Sequence, residues 1–328
     1  MSLTLLTQDT PPYGAVETKT PIVRRVTAEN PSKFTYHGTG TYIVGHGDVV
    51  VIDPGPQIDA HRDALARALD GERVQAILIT HCHSDHSPLA AWLREYTSAP
   101  TVAVGPHGDD AWDIGSLPDG ALEYVDDDDD DRPKGPVVEE SIDRAFRPDV
   151  VVAGGDVVAS SHDSGSGPQW TIRAVPTPGH TSNHCCFALD AGQESSLFTG
   201  DHLMGWSTTV IGPPDGDMAT YMSSLDVVVA RADSVAYPTH GPPVRDPAAF
   251  AAELIAHRRE RHAQVLAAVA GGRTTIPDIV VDLYRDVHPR LHKPAASSVL
   301  AHLVALVAEG RVITDHERPR LDGIYRPV

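Results

Sequence analysis

The chain has 328 residues, a formal net charge of −19 and three cysteines, at positions 82, 185 and 186. This length predicts one large domain together with a smaller one. The excess of acidic side chains disfavours nucleic acid as a partner, because the two polyanions repel each other at long range.

The cysteine and hydropathy patterns bear on the compartment. Cys185 and Cys186 are adjacent and Cys82 lies inside a histidine cluster, so we expect no disulfide framework. No apolar run is long enough to span a bilayer, and residues 1–14 lack the basic segment and apolar core of a secretory signal. We therefore expect a cytoplasmic protein without a membrane segment, and the sequence is compatible with an oligomer.

The first half of the chain predicts alternating strands and helices after a loose or edge segment at 1–20. Strand-like composition occurs at 21–27, 34–44, 49–52, 74–79 and 101–104, and the spacing of apolar positions predicts helices at 58–69 and 89–96. Residues 107–155 are rich in Gly, Pro and Asp and lack periodicity. We interpret them as a long insertion and a candidate flap. Its acidic run at 126–131 is interpreted as a solvated loop, since adjacent aspartates lack the ligand spacing of a calcium site.

Strands are predicted again at 169–175, 184–189, 196–198 and 235–237, with a helix at 218–230. From residue 247 the pattern changes to helices at 248–270, 275–284 and 295–309, followed by short strands at 310–314 and 323–326. Three helices and a hairpin are typical of a winged helix. We predict a catalytic domain over 1–246 and a helical, winged-helix-like domain over 247–328. The basic stripe at 257–261 is interpreted as a solvated helix face, with nucleic-acid contact as the alternative.

Side chains that can bind a metal follow four of the predicted strands. The stretch 80–86 reads Thr-His-Cys-His-Ser-Asp-His, and three later turns containing Gly or Pro each supply one more such side chain. Strand ends on one edge of a layered fold converge, and imidazole with carboxylate suits zinc, iron or manganese. Seven ligands are too many for one tetrahedral ion with an open position but fit two ions that share a carboxylate. The seven are His81, His83, Asp85, His86, His180, Asp201 and His240.

The motif His81-x-His83-x-Asp85-His86, followed in order by the three later residues, resembles the metallo-beta-lactamase superfamily. The resemblance covers about residues 41–243 and includes the segment Ile-Asp-Pro-Gly at 52–55. It implies an α+β fold: an αβ/βα four-layer sandwich of two mixed sheets with helices outside. It also implies the metal assignments: His81, His83 and His180 for the first ion, Asp85, His86 and His240 for the second, and Asp201 as the bridge.

A narrower resemblance concerns residues 177–184 and 199–201, which are similar to the glyoxalase II-like branch. The tail, at 257–259, 283–284, 298–303 and 309–312, is similar to the winged-helix extension of the beta-lactamase-like protein two subfamily. That subfamily contains a mitochondrial endoribonuclease and relatives of fungal polyketide-releasing thioesterases. This chain departs from the family at Thr239, where the family usually has glycine before its last ligand, and in the acidic insertion.

The ligand set predicts a hydrolase acting on a small acyl compound, a thioester or ester. Two divalent ions, zinc first and iron or manganese as alternatives, would lower the pKa of a bridging water so that hydroxide attacks the carbonyl. Asp85 and Asp201 are the candidate catalytic residues. Asp53 is a candidate hydrogen-bond partner of a ligand histidine, or else a turn-capping residue. His184 is expected to be a buried, hydrogen-bonded histidine beside the centre rather than a ligand.

Three alternative functions remain open. A single-strand endoribonuclease fits the tail but not the net charge of −19. A beta-lactam hydrolase is disfavoured because Asp201 stands where the common zinc beta-lactamases have Cys, and because no export signal is visible. A non-catalytic binding protein on the same fold is disfavoured by the complete ligand set.

Overall fold

The computed structural model of the chain describes residues 3–7, 10–108, 112–122, 141–161, 169–192 and 194–328. Within these ranges a first sheet has seven strands in chain order: β1 (Val16–Thr18), β2 (Val23–Thr27), β3 (Gly40–His46), β4 (Asp48–Ile52), β5 (Arg73–Leu78), β6 (Thr101–Ala103) and β7 (Val150–Val151). Strands β1 to β4 pair antiparallel, whereas β4 to β7 pair parallel. Helices α1 (Asp59–Ala68) and α2 (Leu89–Thr97) make the first two parallel crossovers.

A second sheet, counted over the same described ranges, has six strands in the order β13-β12-β11-β10-β9-β8. They are β8 (Val157–Ser160), β9 (Thr171–Pro176), β10 (Cys185–Ala191), β11 (Glu194–Gly200), β12 (Val235–Pro238) and β13 (Val244–Arg245). Neighbours pair antiparallel except β11 and β12, which are parallel and are joined through helix α3 (Met218–Val229). Both sheets are therefore mixed.

Alternate side chains of the central strands enter two different cores. Val50 and Ile52 of β4 face the second sheet, while Val49 and Val51 pack beneath α1 and α2. This follows from the two-residue side-chain period of a strand. Each such side chain contributes about 1.5–3 kcal/mol when it is fully buried, which explains why these strands are continuous apolar runs. The second sheet packs its outer face in the same way on α3 and the next helix, giving the four-layer α+β sandwich that we predicted.

The C-terminal segment forms a smaller helical unit. It contains α4 (Pro247–Ala270), α5 (Ile276–Leu283), a short 3-10 helix (Pro289–Leu291), α6 (His292–Ala308) and the hairpin β14 (Val312–Thr314) and β15 (Tyr325–Pro327). Helix α4 contributes to two cores: Leu254 packs on the second sheet, whereas Val269 packs with α5, α6 and the hairpin. The helices and hairpin form the predicted winged-helix arrangement, while the domain boundary at 246/247 remains a prediction.

The structure corrects the extent of several predicted strands. The strand predicted at 34–44 begins at Gly40, because the Asn30 side chain bonds Thr39 through both amide atoms and holds the preceding residues in a loop. Strands β1, β7, β8 and β13 lie outside the predicted strands, since none carries more than one buried side chain. The basic stripe is only in part a solvated face, since Arg258 is 4% exposed while Arg259 is exposed.

The predicted insertion makes two separate sets of contacts where it is described. Ile114 and Leu117 pack on the C-terminal core, and residues 141–143 pair with residues 82–84 through backbone hydrogen bonds of 2.7–2.8 Å. The acidic run at 126–131 lies outside the described residues. In the described part of the chain, no helix combines the length and apolar character needed to cross a membrane.

Candidate metal centre

The ends of four strands meet at one edge of the facing sheets, and the structure brings all seven candidate ligands together there. The turn after β5 carries four of them, and the turns after β9, β11 and β12 carry one each. All are buried except His83, which is half-buried. Gly179 sets the path of the turn before His180: its φ is 135°, and a Cβ there would lie 2.3 Å from the Tyr221 Cα atom. Only glycine permits this approach to α3.

Three imidazoles form the first group of candidate ligands. His83 Nδ1 lies 3.0 Å from His81 Nε2 and 3.2 Å from His180 Nε2. A tetrahedral zinc ion with Zn–N bonds of about 2.1 Å would hold its nitrogens about 3.4 Å apart, so this spacing suits a single ion. Burial, and then the neighbouring His180, lowers the pKa of His83 to about 3. Burial, and then His86, holds the pKa of His81 well below its usual value. The rings are therefore neutral, the form that binds metal.

The second group consists of Asp85, His86 and His240. Asp85 Oδ2 lies 3.0 Å from His240 Nε2 and 3.5 Å from His86 Nε2. Burial opposes ionisation of Asp85, but the adjacent imidazoles of His86 and His240 lower its pKa to about 2. Burial likewise opposes the protonated form of His86, but the carboxylates of Asp85 and Asp201 raise its pKa well above the usual value.

Asp201 lies between the two groups. Its Oδ1 atom is 3.6 Å from His86 Nε2 and 3.5 Å from His240 Nε2, while its Oδ2 atom is 3.8 Å from His180 Nε2. The pKa of Asp201 is lowered: burial opposes ionisation, and His240 and His86 outweigh it. One carboxylate thus directs one oxygen toward each group.

The donor set fits divalent cations. His86 Nε2 and Asp201 Oδ1 are buried and have no hydrogen-bond partner. Within the described residues, Asp85 and Asp201 form ion pairs only with histidines. Buried carboxylates need compensating positive charge, and metal ions at the two groups would supply it while displacing the protons on His86 and His240.

Hydrogen bonds outside the centre orient three of the rings. Each ring donates its Nδ1–H to a fixed acceptor: His86 to Asp53 Oδ2 at 2.9 Å, His180 to the Val210 carbonyl at 2.7 Å, and His240 to the Gly38 carbonyl at 3.1 Å. A ring that donates through Nδ1 directs the lone pair of Nε2 inward, which is the arrangement of metal-binding histidines.

Comparison with known proteins agrees with this arrangement. A family model described as "Metallo-beta-lactamase superfamily" matches residues 36–240. The chain belongs to the metallo-beta-lactamase superfamily. A second model, described as "Beta-lactamase associated winged helix domain", matches residues 275–318. The predicted family, fold and hydrolase class are confirmed.

Relatives of similar length support the same assignment. The chain is 28% identical over 314 residues to an "Atrochrysone carboxyl ACP thioesterase" from Aspergillus chevalieri, covering 92% of this chain and 86% of that protein. Among solved structures, a beta-lactamase domain protein from Burkholderia ambifaria is 22% identical, with a TM-score of 0.70 over 99% of this chain and 97% of that one. A metallo-beta-lactamase family protein from Thermus thermophilus is also 22% identical, with a TM-score of 0.68 over 95% of this chain and 100% of that one. At this level of sequence identity, these two structures support the assignment of the fold only.

The carboxylate of Asp53 accepts four hydrogen bonds. The donors are Thr80 N at 2.8 Å, Thr80 Oγ1 at 2.7 Å, His86 Nδ1 at 2.9 Å and Thr239 Oγ1 at 2.9 Å. Asp53 therefore holds the turn after β5 and contacts a candidate ligand histidine; in the described part of the chain, its side-chain hydrogen bonds go to these residues and to Thr239 rather than to its own Pro-Gly turn. Thr239 departs from the usual glycine without strain, since its φ is not positive, and its hydroxyl supplies one of the four donors. The sequence motifs gave no signal for this contact.

His184 is buried and lies outside the candidate ligand groups. Its Nε2 accepts a hydrogen bond of 3.3 Å from the Asp201 backbone N–H, and its Nδ1 lies 2.9 Å from Thr177 Oγ1. Since Nε2 accepts, Nδ1 carries the proton and donates to Thr177. This histidine therefore holds the backbone of Asp201, and Gly200 leaves it room: a Cβ there would lie 2.7 Å from His184 Nε2.

A cavity of about 280 Å³, the side cavity, opens beside the first group. His83, His107, Arg144, His180, Asp215 and Ser297 are among its walls. The described ends of the insertion and the first turns of α6 thus both reach the mouth of the centre. Neither the insertion nor the C-terminal unit is remote from the candidate site.

Proposed function

We propose that this protein hydrolyses acyl thioesters with two divalent ions, zinc in the first instance. The observation that carries the proposal is Asp201, which directs one carboxylate oxygen toward each ligand group. The relative named as an ACP thioesterase supports the thioester as substrate. Asp201 as the bridging residue, in place of Cys, together with stretches similar to the glyoxalase II-like branch, favours acyl hydrolysis over a beta-lactam substrate.

The proposed roles divide the seven ligands into two sets and a bridge. His81, His83 and His180 would hold one ion, Asp85, His86 and His240 the other, and Asp201 both. When bound, two such ions lower the pKa of a water between them and polarise the substrate carbonyl. Hydrolysis then adds water across the carbon–sulfur bond, so that the acyl carbon gains the oxygen and the sulfur leaves with a proton.

Asp85 would orient the attacking water and accept its proton. Its Oδ2 atom lies 3.0 Å from His240 Nε2, so this carboxylate would hold the second ion together with His240 and would be placed beside the attacking water. Asp53 would keep His86 in position through their 2.9 Å hydrogen bond. His184 would keep the Asp201 backbone in position. Catalysis would thus depend on side chains whose own rotations are fixed by hydrogen bonds.

The test compares Asp201→Ala with Asp226→Ala, a substitution at an exposed position of α3. Purified, metal-quantified proteins are assayed on thioesters, lactones, phosphodiesters, single-stranded RNA and beta-lactams. We expect wild type and Asp226→Ala to bind two ions and to favour thioesters, and Asp201→Ala to lose most metal and activity. Two ions and normal turnover in Asp201→Ala would refute the bridging role. Turnover of phosphodiesters or beta-lactams alone would refute the thioesterase.

A further inference from the structure

A second, larger cavity of about 710 Å³ adjoins the candidate centre. Helices α4 and α6 and the loop at 207–210 form its walls. A small space of about 20 Å³ lies between it and the metal centre: Lys33 and Val210 line both spaces, and His180 and Asp201 line the small one. We call the larger space the basic cavity. Its walls thus continue to two of the candidate metal ligands.

The basic cavity concentrates positive charge in a chain of net charge −19. Lys33, Arg258 and Arg261 line it together with one exposed acid, Glu260. Among the described residues, none of the three cationic side chains has a carboxylate partner. Arg258 is 4% exposed and donates to the Thr209 carbonyl, while its Nε atom has no partner. Arg261 donates to the Leu283 carbonyl at 3.2 Å.

A buried guanidinium without an anion is costly. Such a group persists where a ligand supplies the missing charge, and guanidinium binds phosphate through paired N–H donors. The remaining walls are mixed: Phe34, Val287 and Leu291 are apolar, whereas Thr208, Gln264 and Ser298 offer hydrogen-bonding groups. The Arg261 guanidinium lies 4.4 Å from the centre of the Tyr284 ring. The cavity therefore suits an elongated molecule whose body carries both apolar and hydrogen-bonding groups and which has a phosphate at one end.

We infer that the basic cavity binds the phosphopantetheine arm that carries the acyl thioester. The phosphate would contact Arg261 and Lys33, with Arg258 adding buried positive charge, and the thioester would extend past Val210, which lines both spaces, toward the centre. The acyl group would then occupy the side cavity, which shares His180 and Val210 with these spaces. This inference rests on the proposed thioesterase function, and the arm belongs either to a carrier protein or to free coenzyme A.

The experiment uses substrates that share the acyl group and differ in the arm. Acyl-phosphopantetheine, acyl-coenzyme A and acyl carrier protein present the phosphate, whereas the N-acetylcysteamine thioester lacks it. We expect Lys33→Gln and Arg261→Gln each to lower kcat/KM for the phosphorylated substrates about tenfold, mainly through KM. The N-acetylcysteamine thioester should lose much less, because it has no phosphate for either side chain to contact. The matched control is Arg259→Gln, one helix position from Arg258 but outside the cavity walls.

The outcomes separate this inference from the thioesterase proposal. If wild type hydrolyses all thioesters but the two variants treat phosphorylated and unphosphorylated arms alike, the inference is wrong and the thioesterase stands. Calorimetry with coenzyme A on the metal-free protein gives a readout independent of turnover: wild type and Arg259→Gln should bind, and Arg261→Gln should bind about tenfold more weakly. Loss of RNA binding in the variants, without any preference for phosphorylated thioesters, would overturn the inference in favour of nucleic acid. A preference of wild type for the carrier protein over coenzyme A would identify the source of the arm.

Discussion

Replacing Thr239 by valine removes one hydroxyl from the hydrogen bonds around Asp53 and leaves the side-chain volume unchanged. Thr239 is 3% exposed, and its Oγ1 atom donates to Asp53 Oδ2 at 2.9 Å. The same oxygen accepts from His86 Nδ1 and Thr80 Oγ1. The substitution therefore perturbs the candidate ligand His86 through one intermediate carboxyl group, and it leaves the backbone that leads to the neighbouring candidate ligand, His240, unchanged.

The size of the effect follows from the contacts. A hydrogen bond to a charged group contributes about 1.5–3 kcal/mol to stability. The buried methyl group that replaces the hydroxyl stabilises the folded protein by about 0.8 kcal/mol, which offsets part of that loss. We expect Thr239→Val to lower the free energy of unfolding by about 1–2 kcal/mol. Hydrogen-bond partners of metal-binding histidines alter metal affinity by about 10–100-fold when removed. Because Asp53 itself remains, we expect about a tenfold loss here.

Urea unfolding of the metal-free protein measures the stability, and competition with a chelator measures the metal affinity. The control is Thr239→Ser, which keeps the hydroxyl donor and loses only a methyl group. The serine variant should keep the metal affinity of wild type even if it is less stable. The reasoning is refuted if Thr239→Val binds metal as tightly as wild type, or if the serine and valine variants weaken binding equally.

Three further predictions concern the same region. Asp53→Asn keeps the shape but removes the charge and replaces one of the two oxygens that accept from four donors with an NH2 group, which cannot accept, so metal affinity measured by chelator competition should fall about 10–100-fold. Gly179→Ala places a Cβ 2.3 Å from the Tyr221 Cα atom at a φ of 135°, so urea unfolding should show a loss above about 3 kcal/mol; wild-type stability would contradict the geometry. Burial lowers the pKa of His61 from 6.5 to about 4. As the pH falls, the unfolded chain therefore binds this proton at a higher pH than the folded protein does. The free energy of unfolding then decreases between pH 6.5 and pH 4, by about 3 kcal/mol in total. Urea unfolding at several pH values should show a smaller loss for His61→Gln than for wild type, and equal losses would mean that His61 titrates normally when folded.

The candidate ligands could be predicted because histidine and aspartate are metal-binding residue types that the sequence shows directly. His180, Asp201 and His240 each follow a short apolar strand, and such strands end at the edge of a sheet regardless of what lies opposite. Both faces of the central strands are buried, so these strands are continuous apolar runs that the sequence reveals. Edge strands such as β7, whose two valines are exposed, carry no such pattern and were missed.

The atoms that orient the ligands could not be predicted in this way. The carbonyls of Val210 and Gly38 accept hydrogen bonds from two of the candidate ligand histidines, and every residue has a carbonyl, so no residue type marks them. Thr239 and Asp53 are 186 positions apart, and only the folded sheets bring the hydroxyl to the carboxyl group.

The sequence by itself determined the ligand types, their order and the strand ends that carry them, because these depend on local patterns of apolar and polar residues. The tertiary structure decided how the candidate ligands are arranged around Asp201, which acceptors orient the rings of His86, His180 and His240, and what surrounds the candidate centre. The basic stripe of α4 illustrates the difference. Helical spacing indicated a solvated face, but the packing of α4 against α3, α6 and the loop at Thr209 buries Arg258 and makes its neighbours a cavity wall. Burial of a long side chain depends on distant elements, which helical periodicity does not report.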